Sequence, residues 1–215
     1  GKLDDAKAIL KFKGEMREHG PHAITLGPDG FLYVVVGNLV SLENPTDDAS
    51  PLQKYYEGDL VGRYEDPGGH AVGVKAPGGV VVRLDIEANS VQVVAGGLRN
   101  VYDVAFNRAG DMFAHDSDME TDEGTPWFRP TQLFHVTPGS DLGWRSGWAR
   151  WSEYFLDCVP PMLDTGRGSP TGSVVYSHFA FPSRYQDALF LADWAAGRIL
   201  VTRLKPTGSS YTAST

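Results

Sequence analysis

Three stretches of the chain carry the same pattern at long, nearly equal intervals: GPDGFLYVVVGN (27–38), NRAGDMFAHDSD (107–118) and SRYQDALFLADW (183–194). Each is a polar turn, then a small or acidic residue, then an apolar–aromatic pair that opens an extended run. The pairs begin at Leu32, Met112 and Leu189, intervals of 80 and 77 residues. A strand-like run precedes each, HAITL (22–26), VYDVAF (101–106) and GSVVYSHF (172–179), and another follows, VVVRLDI (80–86), TQLFHVT (131–137) and GRILVTRL (197–204). β-branched and aromatic residues dominate these runs, with Gly, Pro, Asn and Asp between them. No long stretch keeps a 3.6-residue period, so helix is expected to be scarce.

Short strands recurring at a long fixed period point to a β-propeller with about four strands per blade. The expectation is an all-β chain of about three blades in a single domain, 1–215, with repeats at roughly 15–96, 97–171 and 172–215. Residues 39–78, 117–130 and 139–171 read as long loops, the usual carriers of function on a rigid scaffold. KAILKFK (7–13) reads as the outer strand of a preceding blade, and the terminal SSYTAST as a strand just starting. Together they suggest an internal piece of a longer propeller, whose exposed blade faces favour self-association or pairing with missing blades.

Composition narrows the function. The net charge of −8, with Lys and Arg scattered, argues against a nucleic-acid surface. No apolar run reaches the roughly 20 residues needed for a membrane span. The single cysteine, Cys158, rules out an intrachain disulfide or a CxxC metal site and reads as a small buried residue. His115 and His135 sit within strand-like runs and read as core residues. Trp127, Trp144, Trp148 and Trp151 read as inter-blade packing or as a stacking wall for sugars.

The segment HDSDMETDEGTPW (115–127) concentrates negative charge. In an extended chain Asp116, Asp118, Glu120 and Asp122 point to one side, and hard oxygen ligands gathered there suit Ca²⁺. The bland alternative is a solvated acidic loop that turns at Glu123-Gly124.

GLRNVYDVAFNRAGDMF (97–113) and GSDLGWR (139–145) resemble the glucose/sorbosone dehydrogenase superfamily, soluble quinoprotein six-bladed propellers that bind pyrroloquinoline quinone (PQQ). The longer run 118–147, with DTGRGSPTG (164–172) and DWAAGRI (193–199), is similar to a planctomycete-type branch labelled membrane-bound dehydrogenases. The resemblance implies PQQ as cofactor, with calcium bound near the acidic segment. It also implies a sugar or alcohol substrate and a periplasmic or extracellular location. It assigns the catalytic base to His19, eight residues before the Gly27-Pro28-Asp29 turn, with His22 as an extra candidate. It places Arg99 and Asn100 at the quinone. Asn38 stands where the family has an aspartate supporting the histidine, and an amide cannot orient or charge-stabilise an imidazolium as a carboxylate does. The residues that grip the quinone carboxylates fall, in the family, beyond the position of Thr215. The leading expectation is therefore a quinone-dependent dehydrogenase. A calcium-dependent propeller hydrolase (lactonase-like) and a non-catalytic propeller binding glycans or proteins are the alternatives.

Overall fold

A computed structural model of the chain describes residues 6–15, 18–53, 62, 64–120, 128–152 and 155–215. Up to Leu98 the strands are β1 (Phe12–Gly14), β2 (Pro21–Leu26), β3 (Leu32–Val36), β4 (Val40–Leu42), β5 (Gly79–Asp85) and β6 (Ser90–Leu98). Then come β7 (Val104–Phe106), β8 (Met112–Asp116), β9 (Met119–Glu120), β10 (Phe128–Arg129), β11 (Thr131–Val136), β12 (Trp144–Arg145), β13 (Ala149–Arg150) and β14 (Leu163–Gly166). The last four are β15 (Pro170–Val175), β16 (Leu189–Asp193), β17 (Arg198–Thr207) and β18 (Ser210–Ser214).

Twelve of these strands form three four-stranded antiparallel sheets, ordered β2-β3-β5-β6, β7-β8-β11-β14 and β15-β16-β17-β18. These are the blades of a partial β-propeller, here I, II and III. The only helical element among the described residues is a 3₁₀ turn at Ser183–Tyr185.

The second strand of blade I, β3, is apolar on both faces because both faces are covered. Tyr33 and Val35 of β3 face blade II, packing with Val104, Ala114, Phe134 and Val136. Val34 and Val36 face the other way, into a cluster with Val80, Val82 and Val93. Blades II and III share a third cluster in which Phe113 and Leu133 meet Leu189 and Leu191. Each such side chain, fully buried, stabilises the fold by roughly 1.5–3 kcal/mol.

Two of the three inner strands start with an irregular register, between Pro21 and Ile24 in β2 and between Pro170 and Ser173 in β15. Bulges of this kind re-aim the chain at a sheet edge. Asp103, immediately before β7, ties the three inner strands together. Its Oδ2 accepts the Ser173 amide (2.9 Å) and its Oδ1 accepts the Thr25 hydroxyl (3.4 Å).

The reading of residues 7–13 is corrected. Phe12–Gly14 pairs antiparallel with β4 rather than forming the outer strand of another blade. Leu10 and Phe12 lie on the far face of blade I, where their apolar side chains find a partner. The strand expected in SSYTAST is Ser210–Ser214, which pairs along β17 as the fourth strand of blade III.

Candidate functional site

The site is organised around one buried carboxylate. Asp116 ends β8 with no exposed surface. Its Oδ2 accepts the Arg99 amide at 2.9 Å and Arg150 Nη2 at 3.0 Å. Its Oδ1 accepts the amides of Asn100 (2.8 Å) and Ser117 (2.9 Å). The turn carrying Arg99 and Asn100 is thereby fixed to blade II. An acid with this many donors has no lone pair to spare for a cation. The expectation that Asp116 ligates calcium is corrected accordingly.

Arg99 is buried and faces blade I. Its carbonyl accepts the Asn38 amide at 2.9 Å. Its Nη1 donates to Ser117 Oγ (3.2 Å) and faces His19 Nε2 (3.4 Å). His19 lies in the lead-in to β2 and is itself buried. Its Nδ1 lies 2.6 Å from Asn38 Oδ1. An amide oxygen only accepts, so the proton sits on Nδ1 and Nε2 keeps its lone pair. Asn38 therefore does orient the imidazole, contrary to the expectation from sequence, though it adds no negative charge. Burial, and then the Arg99 charge, lower the His19 pKa to about 4, so the ring is neutral at pH 7.

Gly37 makes this approach possible. A Cβ on it would lie 2.7 Å from the His19 carbonyl, inside any real contact distance. Only glycine lets the end of β3 run against the His19 backbone.

Asn100 is held from the other side. Its Oδ1 accepts His22 Nε2 at 2.6 Å, and the His22 ring stacks on Tyr102 with centroids 4.0 Å apart. His22 is thus a support for Asn100. Burial lowers its pKa.

A cleft of about 660 Å³ opens over these groups, lined by Glu18, His19, Arg99, Asn100 and Asp118 among others, with Ser169 and Ala196 of blade III on its far side. Asp118 is half-buried, and burial followed by repulsion from Glu120 raises its carboxyl pKa. Glu120 pairs with Arg167 at 3.6 Å. The structure thus brings Asp118 and Glu120 to the cleft and keeps Asp116 away, and Asp122 lies outside the described residues.

His70, from the long connection between β4 and β5, also lines the cleft. Its Nε2 lies 3.1 Å from Glu18 Oε1, and its ring centroid is 4.8 Å from that of His19. Nothing in the surrounding GGHAVG motif signals this role. Trp194, 79% exposed, stands beside the cleft-lining Ala195 and Ala196 and was equally silent in sequence.

Of the tryptophans read as inter-blade packing or a stacking wall, two are buried. Trp144 is fully buried beside Met119, and Trp151 is buried under the Arg145 guanidinium at 4.4 Å. Trp148 is half-buried and Trp127 lies outside the described residues. His115 and His135 are core residues. Cys158 is buried, its thiol pKa pushed up to about 11 by burial.

No protein-family model matches the chain, and no curated protein matches it. Solved structures do. The PQQ-bound aldose sugar dehydrogenase of Streptomyces coelicolor is 17% identical with a TM-score of 0.54, over 89% of this chain and 46% of that one. An oxidoreductase (glucose dehydrogenase) of Thermus thermophilus is 18% identical with a TM-score of 0.59, over 94% and 54%. The soluble aldose sugar dehydrogenase of Escherichia coli, in its apo form, is 15% identical with a TM-score of 0.57, over 89% and 52%. The fold is therefore glucose/sorbosone dehydrogenase-like, and the chain spans about half the length of the solved structures it matches. No helix among the described residues is long and apolar enough to cross a membrane.

Proposed function

We propose that the cleft is the reaction site of a PQQ-dependent dehydrogenase acting on a hydroxyl of a sugar or other small alcohol, in the periplasm or outside the cell. The observation that carries this reading is one nitrogen. His19 Nε2, unprotonated and buried, faces the Arg99 guanidinium at 3.4 Å in a cleft of about 660 Å³. His19 takes the hydroxyl proton at Nε2 while Asn38 holds Nδ1. Arg99 presents a fixed cation to oxygen charge that develops beside it, and its backbone cannot drift because Asp116 grips it. A bound quinone supplies the hydride acceptor. The lining offers the guanidinium groups of Arg99 and Arg167 to its negative charge, and Asn100 a positioned amide. Asp118 and Glu120 are the proposed calcium ligands. Their mutual repulsion is a cost that a divalent cation relieves.

The raised pKa of Asp118 favours one second reading, in which this carboxylate activates water on a lactone held by calcium. Full-length protein loaded with PQQ and Ca²⁺ tests both. Adding an aldose should bleach the quinone absorbance, and His19→Ala and Arg99→Ala should each slow this at least a hundredfold. Absence of quinone binding with calcium present sinks the dehydrogenase reading, and calcium-dependent lactone cleavage without quinone puts the hydrolase in its place.

A further inference from the structure

We propose that Glu18, His19 and His70 form a site for a divalent transition metal at the mouth of the cleft, and that filling it takes the His19 nitrogen out of use. The site stands without the dehydrogenase reading; only its effect on turnover rests on that reading.

One ligand atom from each of the three residues lies within 4.8 Å of the others. Two imidazoles and one carboxylate are the donor set of zinc, cobalt, nickel and copper centres, whereas calcium selects oxygen. Tetrahedral bonds of about 2.1 Å place donor atoms roughly 3.4 Å apart. Glu18 Oε1 and His70 Nε2, at 3.1 Å, already stand near that spacing. The widest spacing, at most 4.8 Å, has to close by up to about 1.4 Å, and the Glu18 side chain, 70% exposed, has room to move.

The support around the donors is of the kind metal sites need. His19 donates its Nδ1 proton to Asn38, which fixes the ring and aims Nε2 outward. Its lowered pKa leaves the ring free of competing protons at neutral pH. The hydrogen bond from His70 lowers the Glu18 pKa, which keeps that carboxylate ionised. One group opposes the metal. Arg99 Nη1 faces the same nitrogen at 3.4 Å, so cation and guanidinium compete for one lone pair.

The test needs neither quinone nor sugar. Chelator-stripped protein is titrated with Co²⁺ and followed by its visible bands, with Zn²⁺ and Ca²⁺ as competitors. The expected result is one Co²⁺ per chain, displaced by Zn²⁺ and not by equal Ca²⁺. His70→Ala and Glu18→Gln should each weaken binding at least tenfold without changing the melting temperature, and Arg99→Ala should tighten it several-fold. His70→Gln gives the same readout should the alanine variant fold poorly. No Co²⁺ uptake, or uptake unchanged by both ligand variants, overturns the proposal.

Discussion

His19 and Asn38 form a pair whose geometry and charge pull apart. The 2.6 Å bond fixes the tautomer as a carboxylate would, yet the ring stays hard to protonate, with a pKa of about 4. A base that weak pulls poorly on a hydroxyl proton, because proton transfer is most efficient when the pKa lies near the working pH. Asn38→Asp places a negative charge against Nδ1–H and should raise the His19 pKa by on the order of 1–3 units. A ¹⁵N NMR titration of the imidazole checks this, and an unmoved midpoint would show that burial alone governs the ring. The position of Asn38 was legible because it lies at a fixed offset in a repeated motif. Its orienting role was not, because that depends on a hydrogen bond between segments 19 residues apart.

Among the elements, the inner and second strands were legible and the acidic segment was misread, for one reason. Strand periodicity is local, but it holds only while the strand lasts. β8 stops at Asp116 and β9 begins at Met119, so Ser117 and Asp118 belong to neither strand. The alternation that would have lined up four acids is broken there. Asp116 turns into the protein, and Asp118 and Glu120 turn to the cleft. β1 was misread because its pairing partner, β4, lies outside any local pattern. At this scale the weight falls on the Asp116–Arg150 pair, whose carboxylate has no exposed surface. Asp116→Asn leaves Arg150 a buried cation without its counter-charge and weakens the holds on the Arg99 turn. Losing one partner of such a pair typically costs about 3–5 kcal/mol. Urea denaturation should show that loss, and a change below about 1 kcal/mol would mean that Arg150 finds another partner.

For the molecule as a whole, buried imidazoles shape the response to acid; burial lowers the pKa of His22 and His135 as well, and most of all those of His19 and His115. Burial is the main cause in both His19 and His115, and each titrates at about 4 when folded, against 6.5 ordinarily. Between these values the unfolded chain binds protons that the native state does not. Their stabilising contribution is therefore complete above pH 6.5 and is lost as pH falls toward 4. Each ring steepens the decline by up to about 1.4 kcal/mol per pH unit. Unfolding free energies at intervals across that window should fall accordingly, and His115→Gln should lessen the slope by up to about 1.4 kcal/mol per pH unit. A flat profile in the unsubstituted protein would mean that neither ring is held neutral.

The Asp103 carboxylate, hydrogen-bonded to Thr25 on one side and Ser173 on the other, has a mechanical meaning. The walls of the cleft come from all three blades, and this single group is a hub on which their inner edges hang. One carboxylate, outside the cleft itself, thus joins the inner edges of the three blades whose loops line it.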